Sequence, residues 1–121
     1  MKVLFSALMI LACITNGCAG ITNPSAEEPR WIAQLIDSFQ SSPIGNPPQS
    51  IWRYEYRGAI VYYVPPQCCD QYSTLYNEYG TVIGNPDGGI AGGGDGRWSD
   101  FFIERKNGTL IWSDPRGSGT L

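Results

Sequence analysis

The sequence predicts an α+β fold: one N-terminal helix packed on an antiparallel sheet of four to five strands, with a long glycine-rich loop. Three patterns predict it. Trp31, Ile32, Leu35, Ile36 and Phe39 recur at helical spacing, which lines up one apolar face. Ile51–Val64 (IWRYEYRGAIVYYV) first alternates aromatic and charged residues and then turns almost wholly apolar, as a half-covered strand followed by a covered one does. Asn85–Gly96 (NPDGGIAGGGDG) is too rich in glycine to be either element. A helix with one apolar stripe needs a partner face, and the sheet supplies it.

In chain order, residues 1–18 read as an export signal. Lys2 precedes the apolar run Val3–Ile14, and small residues and cysteines follow. That run of 12 residues is too short to cross a hydrocarbon core of ~30 Å at ~1.5 Å per residue. Cys18, in Thr-Asn-Gly-Cys, is the preferred lipidation site, Cys13, in Ile-Leu-Ala-Cys, is the alternative, and ordinary cleavage after Ala19 is the third option. Residues 19–28 form a polar tether, and 29–116 form a single small domain. Glu27-Glu28-Pro29 opens the helix, with acids near the positive end of its dipole and proline at the first turn. Ser41-Ser42-Pro43 closes it, and Pro43–Ser50 is a stiff connector.

Arg57-Gly58 is short enough for a two-residue hairpin. The returning strand Ala59–Val64 is expected at the sheet centre, stopped by Pro65-Pro66. Gln71–Tyr79 suits a short helix or strand, and Thr81–Ile83 a short strand. A second hairpin is expected near the end, Phe101–Lys106 and Thr109–Trp112 flanking Asn107-Gly108. Residues 117–121 are expected to fray.

Charge and composition remove several function classes. The chain has 8 Lys+Arg against 11 Asp+Glu and no histidine. Losing Lys2 with the leader leaves 7 cations against 11 acids, a net charge of −4. Nucleic acid is not an expected partner, because its binding rests on a basic stripe. Without histidine there is no Ser-His or Cys-His nucleophile pair and no imidazole ligand for zinc.

Three segments could carry chemistry. Cys68-Cys69-Asp70 sits in an exported chain, where thiol pairs tend to oxidise. The options are a vicinal disulfide between Cys68 and Cys69, two free thiols, or a pairing of either with Cys18. In the glycine run, Asn85, Asp87 and Asp95 offer the oxygen ligands that calcium prefers, and Asp100 lies just beyond. The EF-hand pattern fails, since the residue at its twelfth position is Gly96. The alternative is a loop whose aspartates cap their own turns. Carboxylate pairs drawn from Glu55, Asp70, Glu78, Asp95 and Asp100 are the third possibility, with Trp52 and Trp98 as stacking platforms for sugar rings.

The elements Cys68-Cys69-Asp70, Asp87-Gly88-Gly89-Ile90, Gly94-Asp95-Gly96 and Leu110-Ile111-Trp112 together resemble an uncharacterised domain of small bacterial envelope lipoproteins. The resemblance implies a place, an architecture and no activity. It also implies a cysteine just before the Pro-Asp-Gly-Gly segment and another shortly after Gly-Asp-Gly, stapled to the double cysteine. Here Gly84 and Trp98 or Ser99 occupy those places. Two such closures are worth ~2–4 kcal/mol each, so their absence implies a more mobile glycine loop.

The expected function is therefore that of a lipid-anchored or secreted, non-catalytic domain, periplasm-facing or held at the outer membrane. It would bind a protein or small ligand through the loop edge formed by Cys68–Asp70 and Asn85–Asp100, with Asp70, Asn85, Asp87, Asp95, Trp98 and Asp100 as the contact residues. The alternative is a calcium-binding protein or a carboxylate-based hydrolase using Asp87, Asp95 and Asp100.

Overall fold

Helix α1 (Arg30–Gln40) begins directly after Pro29, in a computed structural model that describes residues 27–118. The export signal, Cys13 and Cys18 therefore lie outside the described residues. No described helix is long and apolar enough to cross a membrane. The helix ends at Ser41, whose N–H donates to the Asp37 carbonyl at 3.0 Å. Carbonyls at and just beyond its end, where a helix leaves acceptors over, receive a distant donor: Arg116 gives N–H groups to Ser42 at 2.9 Å and to Phe39 at 3.1 Å.

Five strands follow: β1 (Ser50–Tyr56), β2 (Ala59–Val64), β3 (Thr74–Asn77), β4 (Val82–Gly84) and β5 (Lys106–Ser113). They form one antiparallel sheet in the order β4-β3-β2-β1-β5. The apolar strand β2 is central, as its composition requires. The β1–β2 hairpin turns on Arg57 (φ 51°) and Gly58 (φ 74°). Two left-handed residues make the turn whose twist matches that of the strands.

Side chains alternate across a sheet, and here both faces are covered. On one, Ile51, Tyr62 and Val64 pack with Ile32 of the helix, joined by Trp31, Leu35, Ile36 and Phe39. Trp31 meets Tyr62 edge-on at 5.1 Å, and Phe39 stacks on Trp112 at 6.0 Å. On the other, Tyr56, Val61, Tyr63 and Leu75 surround Phe101, which is 0% exposed. Phe101 belongs to a single helical turn, α2 (Phe101–Glu104). Its ring centroid lies 5.3–5.9 Å from those of Tyr54, Tyr56 and Tyr63, the spacing that aromatic pairs prefer.

The expected hairpin at Asn107-Gly108 does not form. Phe101–Glu104 is helical, and Lys106–Ser113 runs as one strand through Asn107-Gly108 along the outer side of β1. Asn107 does take a positive φ (52°), but within a shift of register opposite Arg53–Glu55. The left-handed residue thus serves a bulge and not a reversal. Tertiary burial overrides the local signal: a hairpin would carry Phe101 away from the aromatic face it fills. The segment Gln71–Tyr79 resolves as strand β3, and the domain's contacts reach back to Glu28, whose carboxylate accepts from Arg53 and Tyr62.

Candidate functional site

The glycine run folds against the segment that follows β2, and Ser73 is the hinge of that contact. Ser73 is 0% exposed. Its Oγ donates to the Asp87 carbonyl and accepts from the Asp87 N–H, both at 3.0 Å. The Ser73 N–H also donates to the Asp87 carbonyl, at 3.0 Å. Asn85 then donates its side-chain amide to the Ser73 carbonyl at 2.7 Å. Buried backbone groups need partners, and this reciprocal set supplies them.

Within the run, Asn85 and Asp95 clamp each other. Asp95 donates its N–H to the Asn85 carbonyl at 2.9 Å, while the Asn85 N–H reaches the Asp95 carboxylate at 3.1 Å. Gly94 sits between them at φ +60°, and a Cβ there would strike the Asn85 carbonyl. Only glycine fits such a close approach at positive φ. Beyond the clamp, Gly88 bridges to both Tyr72 and Gly93, and the Gly89 N–H donates to the Gln71 carbonyl at 3.0 Å.

The outcome is a fastened loop that carries apolar side chains into solvent. Ile90 is 93% exposed and Tyr72 56%. Beside them lie Cys68, Cys69 and Asp70, all exposed. The two cysteines are joined to each other as a disulfide, and the Cys68 N–H donates to the Asn46 carbonyl at 2.6 Å. The connector after the helix therefore supports the cysteine turn from behind.

Each acidic residue singled out in the sequence already has protein donors at its carboxylate, apart from exposed Asp70 and Glu78. Asp87 accepts from the Tyr63 hydroxyl at 2.8 Å, and burial with this bond pushes the Tyr63 phenol well above its ordinary pKa. Asp95 caps its own turn, accepting from the Arg97 N–H at 3.0 Å and from the Arg97 guanidinium at 3.1 Å. The Arg97 backbone bond leads in holding its carboxyl below the usual range. Asp100 accepts from the Tyr56 hydroxyl and from Arg57 at 3.1 Å. The Tyr56 bond leads in lowering its pKa. Depressed carboxylates are fixed anions, the opposite of the raised acids used in proton transfer.

Among the described residues, no three Cys, Asp or Glu side chains are grouped closely enough to share a metal ion. Asp87, Asp95 and Asp100 instead fasten three separate joints: sheet to loop, loop to itself, and hairpin to α2.

Trp98 is half-buried rather than displayed. Its ring lies 6.0 Å from Tyr56, with the Arg57 guanidinium 5.6 Å above it. A Cβ at Gly84 would run into the Trp98 indole. Gly84 and Trp98 are thus neighbours, packed glycine against indole. Residues 37–114 match the model of a family described as Domain of unknown function (DUF6970). The chain belongs to this family. The matched span of DUF6970 runs from the second half of α1 to Asp114 and contains the whole loop edge. No curated protein and no solved structure matches the chain.

Sequence reasoning missed Ser73, Tyr63 and Arg116. A lone serine between a tyrosine and a threonine carries no signal for burial. The Asp114-Pro-Arg116 triplet carried one: proline after an aspartate promotes a turn, in which Asp114 accepts from the Arg116 N–H at 3.0 Å and its guanidinium at 2.6 Å.

Proposed function

We propose that this DUF6970 chain is an exported, non-catalytic domain of the bacterial envelope, tethered by a lipid on Cys18, that binds a protein partner. The contact edge consists of Cys68–Asp70, Tyr72 and Asn85–Ile90. One observation carries the binding part of this reading: Ile90 and Tyr72 are displayed on a loop held by hydrogen bonds to buried Ser73. A preorganised edge loses little conformational entropy on binding, and an exposed apolar anchor beside an aromatic one is what interface hot spots are made from. The fixed ionisation of Asp95 and Asp100 supports contact over proton transfer. The leader supports the location, and the ten residues from Ala19 to Glu28 would let the domain stand at most about 35 Å from its anchor.

The test of binding is a photo-crosslinking residue placed at position 90 in the native host, with position 103 as control, since Ile103 is also 80% exposed. A discrete adduct from 90, absent from 103 and lost when Tyr72→Ala is added, is the expected result. No adduct at 90, or the same pattern at both positions, refutes the edge. Mass spectrometry of the mature N-terminus tests the tether: a diacylglyceryl adduct on Cys18 is expected, and an unmodified start at Gly20 overturns it.

A further inference from the structure

On the sheet face that carries α1, opposite the face filled by Phe101, the helix leaves part of the sheet uncovered. A groove of about 500 Å³ opens there between the start of the helix, β1, β2 and the β3–β4 turn. Its floor includes Ile60 and Tyr62, and Pro29 and Tyr79 stand at its sides. Tyr79 is 79% exposed.

The charge on this groove is one-sided. Glu27, Glu55 and Glu78 line it, and none takes part in an ion pair among the described residues. Arg53 also lines it, but its guanidinium is paired with Glu28 at 2.9 Å. Glu55 accepts one neutral hydrogen bond, from the Asn107 amide at 3.0 Å. Lys106, opposite Glu55 in the strand register, lines the neighbouring depression around Arg57 and not this groove.

The geometry points to a second ligand site in this groove, for a small linear alkylamine bearing a positive charge on an apolar stem. The volume is that of a small-molecule pocket and too small for a folded segment. Methylene groups would lie on Ile60 and Pro29, where burial removes apolar surface from water. The ammonium would meet the glutamates and the tyrosine faces, which attract cations through their ring quadrupole. A neutral ligand of the same shape would leave the carboxylates unanswered, and an anion would be repelled by them.

The site is separate from the loop edge, so its test stands apart from the proposed partner binding. Isotopically labelled protein is titrated with 1,5-diaminopentane, and with 1,5-pentanediol as the neutral isostere. The expected result is a saturable shift of the Ile60 methyl and Tyr62 ring signals with the diamine, at about millimolar affinity or tighter. Glu55→Gln with Glu78→Gln should weaken it about tenfold, two exposed charge contacts being lost, while Glu104→Gln leaves it unchanged. Far-UV circular dichroism checks that each variant is folded. The proposal is overturned by equal shifts with the diol, by shifts scattered over all acidic residues without saturation, or by equal affinity in the double variant.

Discussion

Ser73→Ala should be among the most damaging single substitutions in the loop edge, although it deletes one oxygen. The wild-type Oγ makes two bonds at 3.0 Å, both to the Asp87 main chain, and the residue is 0% exposed. After truncation the Asp87 carbonyl keeps the Ser73 N–H, but the Asp87 N–H loses its acceptor. A hydrogen bond contributes about 0.5–1.5 kcal/mol net, and an orphaned donor away from water costs about 1–3 kcal/mol. Taken at mid-range, these give a loss of about 3 kcal/mol. For a domain of this size each kcal/mol lowers the melting temperature by about 4–8 °C, so a drop of about 12–24 °C is expected. Urea unfolding should show a lower midpoint with an unchanged slope, the mark of altered stability and not of an altered unfolded state. Hydrogen exchange should accelerate first across residues 85–96. A stability change within about 0.5 kcal/mol, the range of an ordinary surface substitution, would refute the hinge role of Ser73. So would faster exchange confined to α1.

Three further outcomes follow from the same contacts. Gly93→Ala meets open space at ordinary φ and should be nearly neutral, whereas Gly94→Ala must displace the Asn85 carbonyl at φ +60° and should cost about 1–3 kcal/mol; equal melting temperatures for the two would contradict the clamp. The carboxyls of Asp95, Asp100 and Asp114 are held below their ordinary pKa by Arg97, Tyr56 and Arg116 respectively. Their contribution is present above the unfolded value of about 3.9 and is lost as pH falls through the lower folded values. Stability should therefore decline from about pH 4 downward, and Arg116→Met should flatten that limb; an unchanged acid profile in the variant would show that the pair is not responsible. Finally, calcium at about millimolar concentration, the range of weak extracellular sites, should leave Trp98 fluorescence unchanged, because Asp87, Asp95 and Asp100 each already accept from protein donors. A saturable response abolished by Asp95→Asn would revive the metal reading.

How much of this molecule is legible before folding depends on the reach of each signal. The helix face from Trp31 to Phe39, the Arg57-Gly58 turn and the central position of β2 all follow from residues a few positions apart. Local periodicity and turn chemistry determine such features, so the α+β class, α1, β1, β2 and the short strand β4 belong to the sequence by itself, whereas Gln71–Tyr79, which suits helix or strand alike, becomes β3 only by pairing with β2. Asn107-Gly108 shows the limit. Its left-handed preference is local and is realised at Asn107, yet whether that residue reverses a chain or bulges a strand depends on Phe101, which fills an aromatic face assembled from β1, β2 and β3. The loop edge shows the same division. Glycines and aspartates announce a tight, self-capping loop, and Asp95 behaves so. The pinning of that loop by Ser73 and Tyr63, the neighbourhood of Gly84 and Trp98, and the closure of α1 by Arg116 join residues 12 to 77 positions apart. Only the tertiary structure decides these, because burial and hydrogen-bond partnership are properties of the packed chain and leave no periodic trace in the order of its residues.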